Sequence, residues 1–258
     1  MNYGYAPLEE PYEDLDVAPD LDDERFGIQL YDKVAGAADL RGKDVLEVGC
    51  GRGGGATFVF DRFGPRTMTA VDLSEKAMAH CRAVRGRPGL TFATADAHDL
   101  PMPDGSFDAV LNVESSHCYA DVPRFLSEVH RVLRPGGLLL LADARPTELP
   151  ERRNRVLVRE EDSHGLRRHI SASEFDVLEE EDIAPNVFRA LQIDSPRRKQ
   201  LIARRVRKRL QPIAMEFYGV EGSRLYDRYA RGEVTYLRFV LRRRSAEEPP
   251  QPVQVRRQ

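Results

Sequence analysis

A chain of 258 residues and 29.2 kDa can bury the core of one substantial domain without disulfides or a structural metal, which excludes a small stapled scaffold. Its longest apolar run, Leu138 to Ala142, is far shorter than the roughly 18 residues of a membrane span, so a soluble protein without one is expected. A net charge of −3 and a pI near 6.1 supply no global field for nucleic acid.

The first 25 residues carry nine acids and one base, Arg25, the opposite of a signal peptide, and Cys50, Cys81 and Cys118 form no regular framework. Both features predict a reducing, cytoplasmic protein. Residues 1–24 lack apolar periodicity and read as a flexible acidic arm. Leu30, Tyr31, Val34 and Ala38 share a helical face, and the strand Val45 to Val48 follows a polar turn. Further strands are expected at Thr67 to Val71, Leu90 to Ala93, Ala109 to Asn112 and Leu138 to Ala142, with helices at Glu75 to Arg85 and Val122 to Leu133. Strands alternating with helices imply an α/β fold with a mostly parallel sheet and helices on both faces. A strand at Phe175 to Ile183 completes a core over residues 25–183. A helical cap over 184–231, a last core strand over 232–242 and a flexible tail over 243–258 follow.

The run Glu47-Val48-Gly49-Cys50-Gly51-Arg52-Gly53-Gly54-Gly55 leads a strand into a glycine loop, where the backbone can turn tightly and approach a ligand. Gly49, Gly51 and Gly54 also satisfy G-x-G-x-x-G, so a dinucleotide must be weighed. Glu47, two residues before the first glycine, would repel a pyrophosphate but attract the ammonium of a methionine-like group. S-adenosylmethionine therefore fits better than NAD. Asp72 ends the next strand, 23 residues after Gly49, where an acid accepts from ribose hydroxyls. Asp96 follows the third strand, where it could take the adenine amino group. The plainer readings are a solvent-facing Glu47, a helix-capping Asp72 and a turn Asp96; only the three together single out a cofactor site.

With Ala70-Val71-Asp72-Leu73-Ser74, Asp99 to Asp108 and Val132 to Gly137, these residues resemble the class I S-adenosylmethionine-dependent methyltransferases. Asn112 to Tyr119 and Glu216 to Val220 more closely resemble the phthiotriol and phenolphthiotriol dimycocerosate methyltransferases, and more loosely the sugar and macrolide O-methyltransferases of bacterial natural products. The resemblance spans about residues 26 to 242 and is weakest over 147–173 and 184–213. It implies a Rossmann-like, seven-stranded sheet and a cofactor pocket lined by Tyr31, Gly49, Gly51, Asp72, Leu73, Asp96, Ala97 and Asn112. It further implies O-methylation of a bulky, apolar acceptor.

An alcohol acceptor must lose its proton. His117, just beyond the fourth strand, suits a base with an ordinary pKa of about 6.5, and Asp143, ending the fifth, can orient its ring. The resemblance to sugar O-methyltransferases supports this pairing, and Glu114 is a second candidate for base or cofactor ligand. A His117 that merely holds a loop is the plainer alternative. The remaining histidines show no metal-like spacing, so no metal is expected. Residues 197–209 hold eight bases in thirteen positions, on a helix with an apolar stripe of Ile202, Val206, Leu210 and Ile213. A solvated face is the expected reading, with an anionic acceptor or RNA as alternatives and nucleic acid disfavoured. Six of the twenty aromatics fall between Phe217 and Phe239, consistent with a wall for an apolar acceptor. Rival activities are methylation of carbon or RNA and a cyclisation guided by a bound cofactor. A homodimer is left open.

Overall fold

The computed structural model describes residues 2–9, 24–148 and 162–244. Its elements run α1 (Arg25–Ala35), β1 (Asp44–Val48), α2 (Gly54–Phe63), β2 (Thr67–Asp72), α3 (Glu75–Val84), β3 (Leu90–Thr94), β4 (Phe107–Val113), α4 (Val122–Val132) and β5 (Leu133–Pro146). After these come α5 (Ser163–Ser171), β6 (Phe175–Asp182), α6 (Ala184–Arg205), α7 (Gln211–Phe217), α8 (Arg224–Ala230) and β7 (Val234–Arg243). The strands form one seven-stranded sheet, ordered β3-β2-β1-β4-β5-β7-β6. All pairs from β3 to β5 are parallel, and β7 inserts antiparallel between β5 and β6.

The sheet is covered on both sides, so its central strands read as nearly continuous apolar runs. Every residue of β1 is buried. Alternation sends Val45 to a layer shared with Leu30 of α1, Ala56 of α2 and Met78 of α3, whereas Leu46 and Val48 meet Phe125 of α4 and Leu166 of α5. Glu47 therefore shares the α1 face with Val45. The Asp121 side chain accepts from the Arg124 N–H to start α4, and Ser74 accepts from Ala77 to start α3, each satisfying a donor that the first helical turn leaves unpaired. Because strand order reverses beside β1, the loops after β1 and β4 flank the position where open α/β sheets bind ligands.

Three expectations need correction. Residues 1–24 were expected to form a free arm, yet Tyr5 N–H donates to Phe26 O at 2.9 Å, Ala6 N–H donates to Asn186 O at 3.2 Å, and Ala6 is fully buried. Backbone pairing to α1 and α6 replaces the missing apolar periodicity; positions 10–23 of that arm lie outside the described residues. The tail expected from 243 begins too early, since β7 includes Arg243, and Arg242 and Arg244 pair with the buried Asp176 at 3.0 and 3.1 Å. Positions 245–258 again lie outside the described residues. The basic stretch is not one striped helix: α6 ends at Arg205, Val206 is extended, and α7 starts anew with Pro212 in its first turn. Proline lacks the N–H needed to continue a helix but is tolerated where a new one begins. Helices α6 and α8 also share the α1-side core through Val187, Leu191 and Tyr229.

Candidate active site

The loop after β1 carries the first part of the site. Gly49 has φ of +81°, and a Cβ there would fall 1.9 Å from Ser115 Oγ, so only glycine lets β1 pass this close to the loop after β4. Gly51 has φ of +54° and nothing within 4 Å of a Cβ position, which leaves open space above the backbone. Its N–H donates to Asp72 Oδ2 at 2.9 Å, while Asp72 Oδ1 accepts from Ser74 N–H at 2.9 Å. Asp72 thus shapes the loop. Leu73 beside it is 72% exposed.

Glu47 is fully buried. Its Oε1 accepts from the Tyr31 hydroxyl at 2.7 Å, but Oε2 has no partner among the described residues. Burial pushes the carboxyl up to about 7. A buried carboxylate oxygen without a partner, next to an open glycine backbone, fits a ligand with an ammonium group.

Asn112, also fully buried, donates from Nδ2 to Val48 O at 3.0 Å and to Ser115 Oγ and Tyr119 OH, tying β4 to the glycine loop; its Oδ1 has no partner among the described residues. Asp96 is half-exposed, and its Oδ1 accepts from the backbone N–H and ring Nδ1 of His98. The His98 backbone contact holds the Asp96 carboxyl below its usual range. Ala97, the next residue, is buried.

The second part is formed by the turn after β4 and the C-terminal half of β5, which runs on past the expected end at Ala142 to Pro146. A short 3-10 turn, Ser116–Cys118, presents His117 to Asp143, with His117 Nδ1 2.7 Å from Asp143 Oδ1 and the His117 N–H donating to Oδ2 at 2.8 Å. Asp143 is fully buried, and burial alone would raise its carboxyl; Arg145 and His117 instead hold it well below the usual range. For His117, burial pulls the imidazole down, but the Asp143 hydrogen bond and charge outweigh it and the ring is pushed up to about 10. The expected pairing is present, whereas the expected ordinary ionisation near 6.5 is not.

Arg145, 2% exposed, donates to Ser116 Oγ at 2.8 Å and stands 3.0 Å from Asp143, so its charge balances the buried acid. Sequence reasoning missed it, although Asp143 and Arg145 are two apart on one strand and so share a face.

Glu114 has φ of +48°, the one positive value among described residues other than glycine. Its Oε1 accepts from Tyr3 N–H at 2.8 Å and from the Tyr236 hydroxyl at 2.9 Å, and burial pushes it up to about 7. Strain of this kind gathers where surrounding contacts hold a residue for a purpose. Tyr3 also went unnoticed in the sequence. Its carbonyl accepts from Arg198 Nη2 at 3.0 Å, and its ring meets Tyr229 edge-on at 6.1 Å. Arg198 belongs to the basic stretch but is buried, donating to Asp194 at 2.6 Å and to Tyr218 O at 2.8 Å. Among the described residues, no group of three or more His, Cys, Asp or Glu could hold a metal.

A parallel sheet reversing beside β1, a glycine loop with a poised acid and an acid at the end of β2 define a Rossmann-like methyltransferase of the class I type. Residues 46–141 match the model described as a methyltransferase domain. Over 224 residues the chain is 38% identical to the probable phthiotriol/phenolphthiotriol dimycocerosates methyltransferase 2 of Mycobacterium ulcerans, covering 86% of this chain and 81% of that relative. It is 49% identical over 152 residues to a fatty-acid O-methyltransferase of Mycolicibacterium smegmatis, but spans only 55% of that relative and 58% of its own length. The solved structure of the [4+2]-cyclase SpnF superposes with a TM-score of 0.72 at 22% identity, covering 95% of this chain and 89% of that one, a likeness of fold alone. The chain belongs to the family of the phthiotriol/phenolphthiotriol dimycocerosates methyltransferases, S-adenosylmethionine-dependent enzymes.

Proposed function

We propose that this enzyme transfers the methyl group of S-adenosylmethionine to a hydroxyl of a bulky, apolar lipid or natural product. The observation that carries this reading is the His117–Asp143 pair at 2.7 Å, on the side of the sheet where the acceptor must sit. The cofactor supplies the transferable methyl; the protein's task is to orient the acceptor oxygen and accept its proton. With Nδ1 committed to Asp143, His117 Nε2 is the atom that takes it. Tyr229, 5% exposed, has a hydroxyl with no partner among the described residues, and its phenol is held well above its usual range by burial and by Glu114. A neutral phenol beside a carboxylate suits a hydroxyl acceptor, which both donates and accepts. The relatives named for phthiotriol and fatty-acid methylation support a lipid.

In the same reading, Glu47 takes the cofactor's ammonium with Tyr31 behind it, and Gly49 and Gly51 let the backbone approach. Asp72 holds the ribose, Leu73, Asp96 and Ala97 surround the adenine, and Asn112 fixes the loop. An acid raised to about 7 remains largely protonated below that pH, and a bound ammonium favours its ionised form. Affinity for the cofactor is therefore expected to rise between about pH 4.5 and 7 in the wild type and to be weaker and flatter in Glu47→Gln. Titration calorimetry across that range checks it. Glu114 titrates in the same window, but it is common to both proteins and cancels in the comparison.

The acceptor class is tested by offering a long-chain secondary alcohol and its deoxy analogue with methyl-labelled cofactor. Label is expected in the alcohol and not in the analogue. Label in both, or in the analogue alone, excludes a hydroxyl acceptor.

A further inference from the structure

The basic stretch does not enter the active site except through Arg198. Between Arg204 and Arg209, five of six side chains are basic; all five are exposed, and none has an ion-pair partner among the described residues. Beside them stand Leu210, Ile213 and Phe217, which are 44%, 68% and 65% exposed although large and apolar. Their spacing of three and four residues sets them on one face of α7 and the turn before it. Nearby acids are already engaged: Glu216 accepts from the N–H groups of Arg224 and Leu225, and Glu221 pairs with Lys199 at 2.9 Å. Among the described residues, the result is an uncovered apolar strip bordered by unpaired positive charge.

We propose that this face docks on an anionic membrane surface. Basic side chains around exposed Leu, Ile and Phe match an interface in which apolar groups enter the acyl boundary and cations meet lipid phosphates. Soluble cores bury such residues, and a purely solvated face has no use for them. The strip is also continuous with the active site. Phe217 meets the ring of Tyr218 at 5.9 Å, the Tyr218 carbonyl accepts from Arg198, and Arg198 holds the Tyr3 carbonyl while the Tyr3 N–H contacts Glu114. Docking through α7 would set the Tyr3–Glu114 region next to the bilayer, where an apolar acceptor resides.

The test is co-sedimentation of the full chain with vesicles of phosphatidylcholine mixed with phosphatidylglycerol, against pure phosphatidylcholine, with and without added salt. Preferential binding to the anionic vesicles, weakened by salt, is expected, and Ile213→Asp with Phe217→Asp should reduce it by about tenfold or more. A retained cofactor-dependent rise in melting temperature shows that the double variant is folded. Wild-type protein left in the supernatant, or variant and wild type binding alike, overturns the proposal. So does a wild-type dimer, seen without vesicles, that the double variant dissociates, because the face then serves a second copy of the chain. None of these outcomes bears on methyl transfer to oxygen.

Discussion

Replacing His117 by alanine is expected to lower the catalytic rate by about 10² to 10⁴-fold, the usual range for loss of a positioned base, while cofactor affinity stays within about a factor of a few. Asp143→Asn should act in the same direction. The two effects should be strongly non-additive, because a carboxylate 2.7 Å from the ring has nothing to orient once the ring is gone. The pH profile carries more information. Asp143 pushes the His117 imidazole up to about 10, so the neutral form that accepts a proton grows as pH rises, and activity should climb through the alkaline range. In Asp143→Asn the same ionisation should fall back toward the ordinary value of about 6.5. A profile rising instead near 7 in the wild type assigns the proton to Glu114, whose carboxyl lies there and which the loss of the Asp143 charge should lower only a little, since burial is the larger cause. Single-turnover rates across pH for the wild type and both variants decide between them.

Asp72→Ala is expected to weaken cofactor binding by about 2 to 3 kcal/mol, roughly 30- to 150-fold, for two combined reasons. Ribose hydroxyls lose their charged acceptor, and the Gly51 N–H loses the oxygen that shapes the glycine loop. Asp72→Asn separates them, since an amide oxygen can still accept from Gly51 but carries no charge. Calorimetry should place the asparagine variant between wild type and alanine. Unchanged affinity in a folded alanine variant removes Asp72 from the site.

Where chemistry and chain position coincide, the sequence is informative. Glu47 stands two residues before the first glycine and Asp72 ends the next strand 23 residues after it, so spacing along the chain marks both. His117 and Asp143 are also legible, because His117 follows the fourth strand and Asp143 closes the apolar run of the fifth, although β5 itself continues to Pro146. The ionisation of His117 is not, since it depends on the hydrogen bond and charge of Asp143 across 26 residues of chain. Tyr3 is hidden for a similar reason: Tyr-Gly-Tyr-Ala has no periodicity, and its partner Glu114 lies 111 positions away. Arg198 is masked by composition, one buried base among exposed ones, and only its four-residue spacing from Asp194 hints at the ion pair. The antiparallel insertion of β7 between β5 and β6 follows from pairing across the sheet, which an alternating apolar pattern leaves undetermined.

The most direct test of the account is where the methyl group goes. Carbon-13 NMR and mass spectrometry of the product formed from methyl-labelled S-adenosylmethionine and a hydroxylated lipid should show one added methyl, bonded to oxygen, with one S-adenosylhomocysteine released per product. A label bonded to carbon, or a rearranged product carrying no label, contradicts it.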